Sequence, residues 1–446
     1  MNNFFLYAFF LLLFANMPNG ANGQHKNDTT YIDNLDHLWQ LSIENNSNQR
    51  VSALQQEQLL ANYKTANSFY YPQTSGSFTG QDNLKLSSTA VPGALIGQPG
   101  KTVLLQFGKK YVYNTGFTVS QTVFDWQQVL LARIAKKNEA LNDLQKSAAA
   151  QTLKIQSAQY YYALMVANAS KSISVRDSLM ADSIVQITEQ RYKQGLVDSM
   201  TMNLAIINKN NVEQNILQST ILIKQAIANM RILASMGTNK VFIFKEVLNM
   251  DAETLSENSQ LIKMGEDKTL LPYQKASELA DLQIKAQKAA TYPKLSLTGY
   301  WGYQQFKDDL TFDFSKGAWS DYRYLGLNLN VPLFAGFANT NKVKSSAIQR
   351  KIDEEQLFNA TQQSLLTDTL LQEQFVTYKH QAAIGKRTFK LYEQNLKLSI
   401  QKYRVGLLSA DAYFKLFEDY LHAENAYLTN LSNLLMIEAN FLARKM

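Results

Sequence analysis

Two stretches of this chain contain almost nothing that ends a helix. From Asp125 to Gln194 there is neither proline nor glycine, and from Ala338 to Val405 only Gly385 interrupts. Proline and glycine are the strongest punctuators of local structure, and all 446 residues hold only 7 prolines and 19 glycines. Both stretches are rich in Ala, Leu, Gln and Lys, which favour helix. Helical throughout, each is about 100 Å long at 1.5 Å per residue. In the first, Leu141, Leu144, Ala148, Ile155, Ala158, Tyr162 and Val166 recur at helical spacings, as in coiled-coil packing. Each stretch then meets Gly195 or Gly406, and a second helical pattern follows (199–235 and 409–444). Glycine suits the left-handed position that closes a helix, so two helical hairpins are expected, over about 125–235 and 337–444.

The hairpins belong to an internal repeat. Tyr71-Pro72 returns as Tyr292-Pro293, the segment 117–126 resembles 327–336, and 191–200 resembles 402–411, in the same order. The offset is 221 residues at the first landmark and 210–211 at the others. The first copy therefore carries extra length between Pro72 and Phe124, where VPGALIGQPGK (91–101) has a loop composition. Two copies make a duplication, not a solenoid. The expected boundaries are 24–235 and 271–446, with 236–270 as a linker.

Each copy also carries two strand patterns, expected at about 73–86 and 110–122, then at 294–306 and 323–334. Leu325, Leu327, Leu329, Val331 and Leu333 alternate with Gly326, Asn328, Asn330 and Pro332. Leu295, Leu297, Trp301 and Tyr303 alternate in the third strand, with Tyr300 as the exception on its polar face. Tyr111, Tyr113, Phe117 and Val119 repeat the pattern in the second. Alternation alone fits two readings: a soluble sheet with one wet face, or membrane strands with lipid outside and a polar lumen.

The N-terminus separates them. Residues 4–15 (FFLYAFFLLLFA) are too short an apolar run to span a bilayer as a helix, and Ala21 and Gly23 precede Gln24. This reads as a signal peptide, 1–23, cleaved near Gly23. No later apolar run reaches the ~18 residues of a membrane helix. An exported chain with alternating strands and long helices favours the membrane reading. Other classes recede. Lys+Arg 44 against Asp+Glu 37 is a mild excess without long basic runs, so nucleic acid is not an expected partner. The chain has no cysteine, which excludes disulfides, thiol catalysis and an acylated N-terminal cysteine. His25, His37, His380 and His422 form no i, i+3 or i, i+4 pair, so no metal site is expected. No nucleotide-binding or hydrolase motif occurs. Helix carboxylates read as solvated faces. Neither catalysis nor a cofactor is expected.

The two Tyr-Pro junctions (Tyr71, Pro72, Tyr292, Pro293), the V-P-L-F-A-G run holding Pro332 and Gly336, and the paired Y-x-x-G turns at 192–195 and 403–406 resemble those of the TolC-like outer membrane factors of Gram-negative export systems. The resemblance covers nearly the whole chain after residue 23. It implies a mainly α fold with a small membrane β part. In this fold the duplicated helix–strand–strand–long helix–turn–helix units form a homotrimer. Each chain gives four strands to a twelve-stranded outer-membrane barrel, continuous with a periplasmic coiled-coil tunnel. The implied partners are a periplasmic adaptor (membrane fusion protein), an inner-membrane pump of the RND, ABC or a similar class, and outer-membrane lipid. Physics asks separately for an oligomer, because four strands leave open edges in lipid, although it does not choose between two-fold and three-fold. Both the missing cysteine and the end of the chain at Met446 depart from some members. A belt around the tunnel is then expected from 24–45 and 236–270. The other reading is a periplasmic coiled-coil adaptor or scaffold outside the membrane, disfavoured by two hairpins and duplicated Tyr-Pro-strand units.

The candidate sites follow. Gly195, Leu196 and Val197, with Gly406, Leu407 and Leu408, are the expected tips. Apolar residues there either staple their own hairpin or, as the resemblance implies, contact the adaptor. Arg191, Tyr192, Lys193, Lys402, Tyr403 and Arg404 precede the tips. The resemblance makes Tyr192, Lys193, Tyr403, Arg404 and Asp411 candidates for the gate of the tunnel mouth. Asp411 is one residue displaced from the family aspartate it matches, and Phe414 and Lys415 stand where a second is expected. Tyr111, Tyr113, Phe117, Trp301, Tyr303, Leu325, Leu327, Leu329 and Val331 are expected to face lipid, and Asn328 and Asn330 the lumen. Loops 87–109 and 307–321 are expected outside the cell, with Trp319 and Tyr322 near the outer aromatic girdle.

Overall fold

The computed structural model describes residues 29–237, 241–246, 248 and 265–445. The expected leader, 1–23, lies outside them, as do parts of the 24–45 and 236–270 belt, including its polar 250–260 stretch. The order is β1 (Thr29–Ile32), α1 (Leu35–Asn45), α2 (Ser47–Ala66), β2 (Gln73–Asp82), β3 (Ser88–Pro92), β4 (Thr102–Gln106), β5 (Tyr111–Phe124), α3 (Trp126–Lys193), α4 (Ser199–Leu233), β6 (Val241–Phe244), α5 (Leu271–Ala289), β7 (Lys294–Lys307), β8 (Ser320–Asn330), α6 (Ala338–Arg404) and α7 (Ala410–Lys445). The glycine-poor stretches are helices of 68 and 67 residues. None of the described helices is long and apolar enough to cross a membrane.

The chain forms two compact units. Among the described residues, one comprises 29–46, 153–237, 241–246, 248 and Tyr378–Ala439. Its core joins α3, α4, α6 and α7 through residues such as Ile184, Val212, Leu396 and Phe417. Phe389 stacks on both Tyr420 and Tyr427. Gly385, the one break in its stretch, faces Tyr427: a Cβ there would stand 3.3 Å from the Tyr427 Cα. Absence of a side chain lets the two helices approach, while the helix continues through it. β1 and β6 form a parallel pair, Thr29 opposite Val241, and Trp39 on α1 donates to the Lys154 carbonyl at 2.8 Å.

Among the described residues, the other unit comprises Ser47–Thr152, 265–377 and 440–445. It holds an antiparallel four-stranded sheet in the order β2-β5-β7-β8. Asp125 links strand to helix. Its carboxylate accepts from the Gln128 N–H and meets Lys294 Nζ at 3.1 Å, which caps the exposed donors at the start of α3. Leu130 and Ile134 of α3 pack on Leu279 and Ala286 of α5.

Several expectations are corrected. The first strand ends at Asp82, not 86, and the fourth covers Ser320–Asn330, not 323–334. Val331 therefore lies outside the strand. β7 begins at Lys294, paired with Asn330, immediately after Pro293, so Val331 has no partner, and Pro332 has no N–H to offer one. Gly336 and Phe337 then turn the chain with φ of +57° and +64°. The loop 87–109 is not plain loop: β3 and β4 pair within it, Ser88 opposite Gln106.

Candidate functional site: hairpin tips and sheet faces

The two reversals are built alike. Gly195 has φ of +69° and Gly406 of +82°, the region where only glycine is unstrained. The Leu196 N–H donates to the Arg191 carbonyl at 2.9 Å and the Gly195 N–H to Tyr192 at 3.0 Å. Leu407 to Lys402 and Gly406 to Tyr403 repeat this at 2.8 and 3.1 Å. These are Schellman closures, which satisfy the last helix carbonyls. The next helix starts at once. Asp198 accepts from the Thr201 N–H at 2.8 Å and Ser409 from Ala412 at 3.3 Å. That bond holds the Asp198 carboxyl below its ordinary range.

The apolar tip residues divide. Leu196 and Leu407 are exposed, at 67% and 78%. Val197 and Leu408 are half-buried, and Leu408 packs on the helical core. Leu408 thus packs on its own bundle while Leu407 stands open. Tyr403 is also held within the bundle. It is fully buried, stacks on Tyr413 with ring centroids 5.4 Å apart, and shares a 2.8 Å hydrogen bond with Thr188. The Arg191 guanidinium covers its ring at 4.8 Å. Tyr192, Lys193, Arg404 and Asp411 are exposed, and Lys193 pairs with Glu189 at 2.8 Å. Phe414 is buried and Lys415 exposed.

Not all helix carboxylates are solvated. Asp177 on α3 is 0% exposed and Glu424 on α7 is 3%. Asp177 Oδ1 accepts from the Tyr420 hydroxyl at 3.1 Å, while its Oδ2 receives no N–H or hydroxyl hydrogen. The Glu424 carboxyl lies within its electrostatic reach. Arg176 donates to the Tyr420 hydroxyl at 3.2 Å and reaches Glu393 on α6 at 3.4 Å. Two carboxyls and one shared guanidinium favour a retained proton. Burial, then the Asp177 charge, pushes Glu424 up to about 8, and burial raises Asp177 against the pull of Arg176. Periodicity hides this pair, because 177 and 424 lie on different helices.

On the sheet, register sorts the side chains. Phe117 faces Trp301, which faces Arg323; Leu297 faces Leu327; Leu295 faces Leu329. Directly opposed residues share a face, so Phe78, Tyr111, Tyr113, Phe117, Trp301, Tyr303, Leu325, Leu327 and Leu329 lie on one side. Leu325, Leu327 and Leu329 are 76%, 67% and 62% exposed. Tyr113 is partly covered, its ring 5.2 Å from Phe312. The opposite face carries Ser75, Ser77, Thr118, Ser120, Ser296, Thr298, Asn328 and Asn330. Tyr300 also lies there, and the structure explains the exception. Its hydroxyl lies over the opposed pair Gly116 and Gly302, where added Cβ atoms would stand 2.7 and 2.5 Å from it. Tyr324 stacks beside it with centroids 5.7 Å apart.

The model of the outer membrane efflux protein family matches residues 38–237 and 265–442. The fold is similar to that of VceC from Vibrio cholerae, with a TM-score of 0.74 and 16% identity over 92% of this chain and 95% of that one. It is also similar to the CmeC outer membrane channel of Campylobacter jejuni (0.68, 18%, 92% and 86%). For the open state of the MtrE outer membrane channel of Neisseria gonorrhoeae the values are 0.69, 15%, 92% and 88%. No curated protein matches the chain. With both halves matched, and with paired helical hairpins and a four-stranded sheet in the fold of solved channels, the chain belongs to the outer membrane efflux protein family.

Proposed function

We propose that the chain is the passive exit duct of a tripartite efflux or type I secretion assembly, working as a homotrimer. The observation that carries this is the sheet: four strands, one apolar exposed face, and edge strands β2 and β8 without partners among the described residues. Open edges in hydrocarbon leave backbone groups unsatisfied at several kcal/mol each, so further copies must pair them. Three copies give twelve strands, apolar side to lipid and Ser, Thr and Asn side to the lumen. The hairpins then form the periplasmic tunnel. Leu196 and Leu407 meet the periplasmic adaptor, an inner-membrane pump of the RND, ABC or similar class supplies the energy, and Tyr192, Lys193, Arg404 and Asp411 guard the mouth. The Tyr-Pro and Pro332–Gly336 junctions pass the chain between strand and helix. Residues 1–23 act as a cleaved export signal. Membrane fractionation with unboiled gel mobility tests the reading. Outer-membrane recovery and a trimer-sized band are expected; a soluble monomer overturns it.

A further inference from the structure

The connection from β7 to β8 folds onto the apolar face of the sheet. Gln305, on that face, is fully buried and clamps Asp313 from both sides: its amide donates to the Asp313 carbonyl at 2.7 Å and accepts from the Asp313 N–H at 3.2 Å. Trp319 Nε1 donates to the same carbonyl at 2.8 Å, and the Asp313 carboxylate accepts from the Ser315 N–H at 2.8 Å. Phe312 then lies against Phe78 and Tyr113, ring centroids 5.6 and 5.2 Å away, and against Trp319 at 5.4 Å. All these sheet partners belong to the side that carries Leu325, Leu327 and Leu329. In the same loop Asp308, Asp309, Thr311 and Ser315 are exposed, and among them Leu310 and Phe314 are left 76% and 86% exposed. Exposed polar residues are ordinary for a loop; two large apolar side chains left open beside an exposed apolar sheet face are the informative feature.

We propose that residues 308–319 form a flap on the outer wall of the barrel that inserts Leu310 and Phe314 into the lipid surface. The inference rests on the channel reading. It commits to lipid because the flap is continuous with the apolar face, so both meet the same surroundings. Its aromatic side chains suit the interfacial level, where rings of this kind gather on membrane barrels.

The cysteine-free sequence makes the test clean. Phe314→Cys, Leu310→Cys and Leu327→Cys each offer one site for a nitroxide label, in the full chain reconstituted into phosphatidylethanolamine–phosphatidylglycerol vesicles. Collision rates with oxygen, which enters lipid, and with a water-soluble nickel chelate report the surroundings. Labels at 314 and 310 are expected to favour oxygen, as the label at 327 does. A label at 314 that favours nickel while 327 favours oxygen overturns the flap and leaves the channel standing. If 327 also favours nickel, the channel reading itself fails. A label at 314 reached by neither reagent means that a second copy covers the flap, which overturns lipid insertion. Leu310→Cys decides the question if the Phe314 variant does not fold.

Discussion

Replacing Glu424 by glutamine removes one titration from the helical core and keeps a hydrogen-bond donor toward Asp177. The folded-state value of about 8 stands against an ordinary 4.5. The folded protein binds the extra proton, so stability must fall as pH rises. The contribution is complete below about 4.5 and disappears as pH passes about 8. Relative to the ionised pair, the proton is worth about 3 kcal/mol at pH 5.5, about 1 at pH 7 and close to zero at pH 9. The groups facing it are Asp177 and Arg176 from α3, Glu393 from α6 and Tyr420 and Tyr413 from α7; Lys397 pairs with Glu393 at 3.5 Å. Thermal unfolding of the detergent-solubilised protein, followed by helical circular dichroism, reads the effect. The wild type should lose midpoint between pH 5.5 and 9, and Glu424→Gln should lose much less. Parallel profiles for the two proteins would refute a proton held between Asp177 and Glu424.

Three further outcomes follow from the same geometry. Leu327→Arg should cost about 2–4 kcal/mol at a lipid-facing site and Asn328→Arg little; equal membrane assembly of the two would reject the register. Gly302→Val should block assembly, since its Cβ would stand 2.4 Å from the Thr115 carbonyl oxygen, whereas Gly299→Ala, with its nearest atom at 3.7 Å, should assemble normally. Leu407→Asp, at an exposed tip, should leave thermal stability unchanged and reduce adaptor crosslinking and export; Leu408→Asp should lower stability first, by about 1–3 kcal/mol, and reversed ranks in those two assays would undo the division of the tip.

The features written in local sequence were the ones read correctly from it. Uninterrupted helix over Trp126–Lys193 needs only an absence of breakers, and the left-handed glycines at 195 and 406 need only their place after a helix. Alternation placed Leu325, Leu327 and Leu329 on one face, because period 2 is local. What failed was decided by partners distant in sequence. Val331 alternates properly yet has no residue opposite it, since Pro293 sets where β7 begins. Tyr403 and Tyr192 occupy equivalent positions in the repeat, but only Tyr403 finds Thr188 and Tyr413 around it. Gln305 and Asp313 are eight residues apart, yet nothing in their spacing says that the loop bends back onto the sheet.

The repeat itself explains the acid pair. At the 211-residue offset, Asp182, Lys209 and Glu213 correspond to Glu393, Tyr420 and Glu424. In the first copy Lys209 sits between its carboxylates, 2.8 Å from Asp182 and 3.7 Å from Glu213. In the second copy tyrosine stands where the lysine does, and the site is buried. The cation is then borrowed from the first copy: Arg176 reaches Glu393, the Tyr420 hydroxyl and, at 3.8 Å, Asp177, leaving Glu424 without an ion pair of its own among the described residues. A proton supplies what the lysine supplies elsewhere. Tyr420→Lys should therefore reverse the sign of the pH dependence. With an ammonium beside them, Asp177 and Glu424 ionise together, their folded-state values drop below the ordinary ones, and stability is present above about pH 4.5 and lost as pH falls. The smaller aromatic contact with Phe389 lowers stability at every pH and leaves the slope unaffected. A variant that still melts earlier at pH 9 than at pH 5.5 would show that a missing cation is not what holds the proton on Glu424.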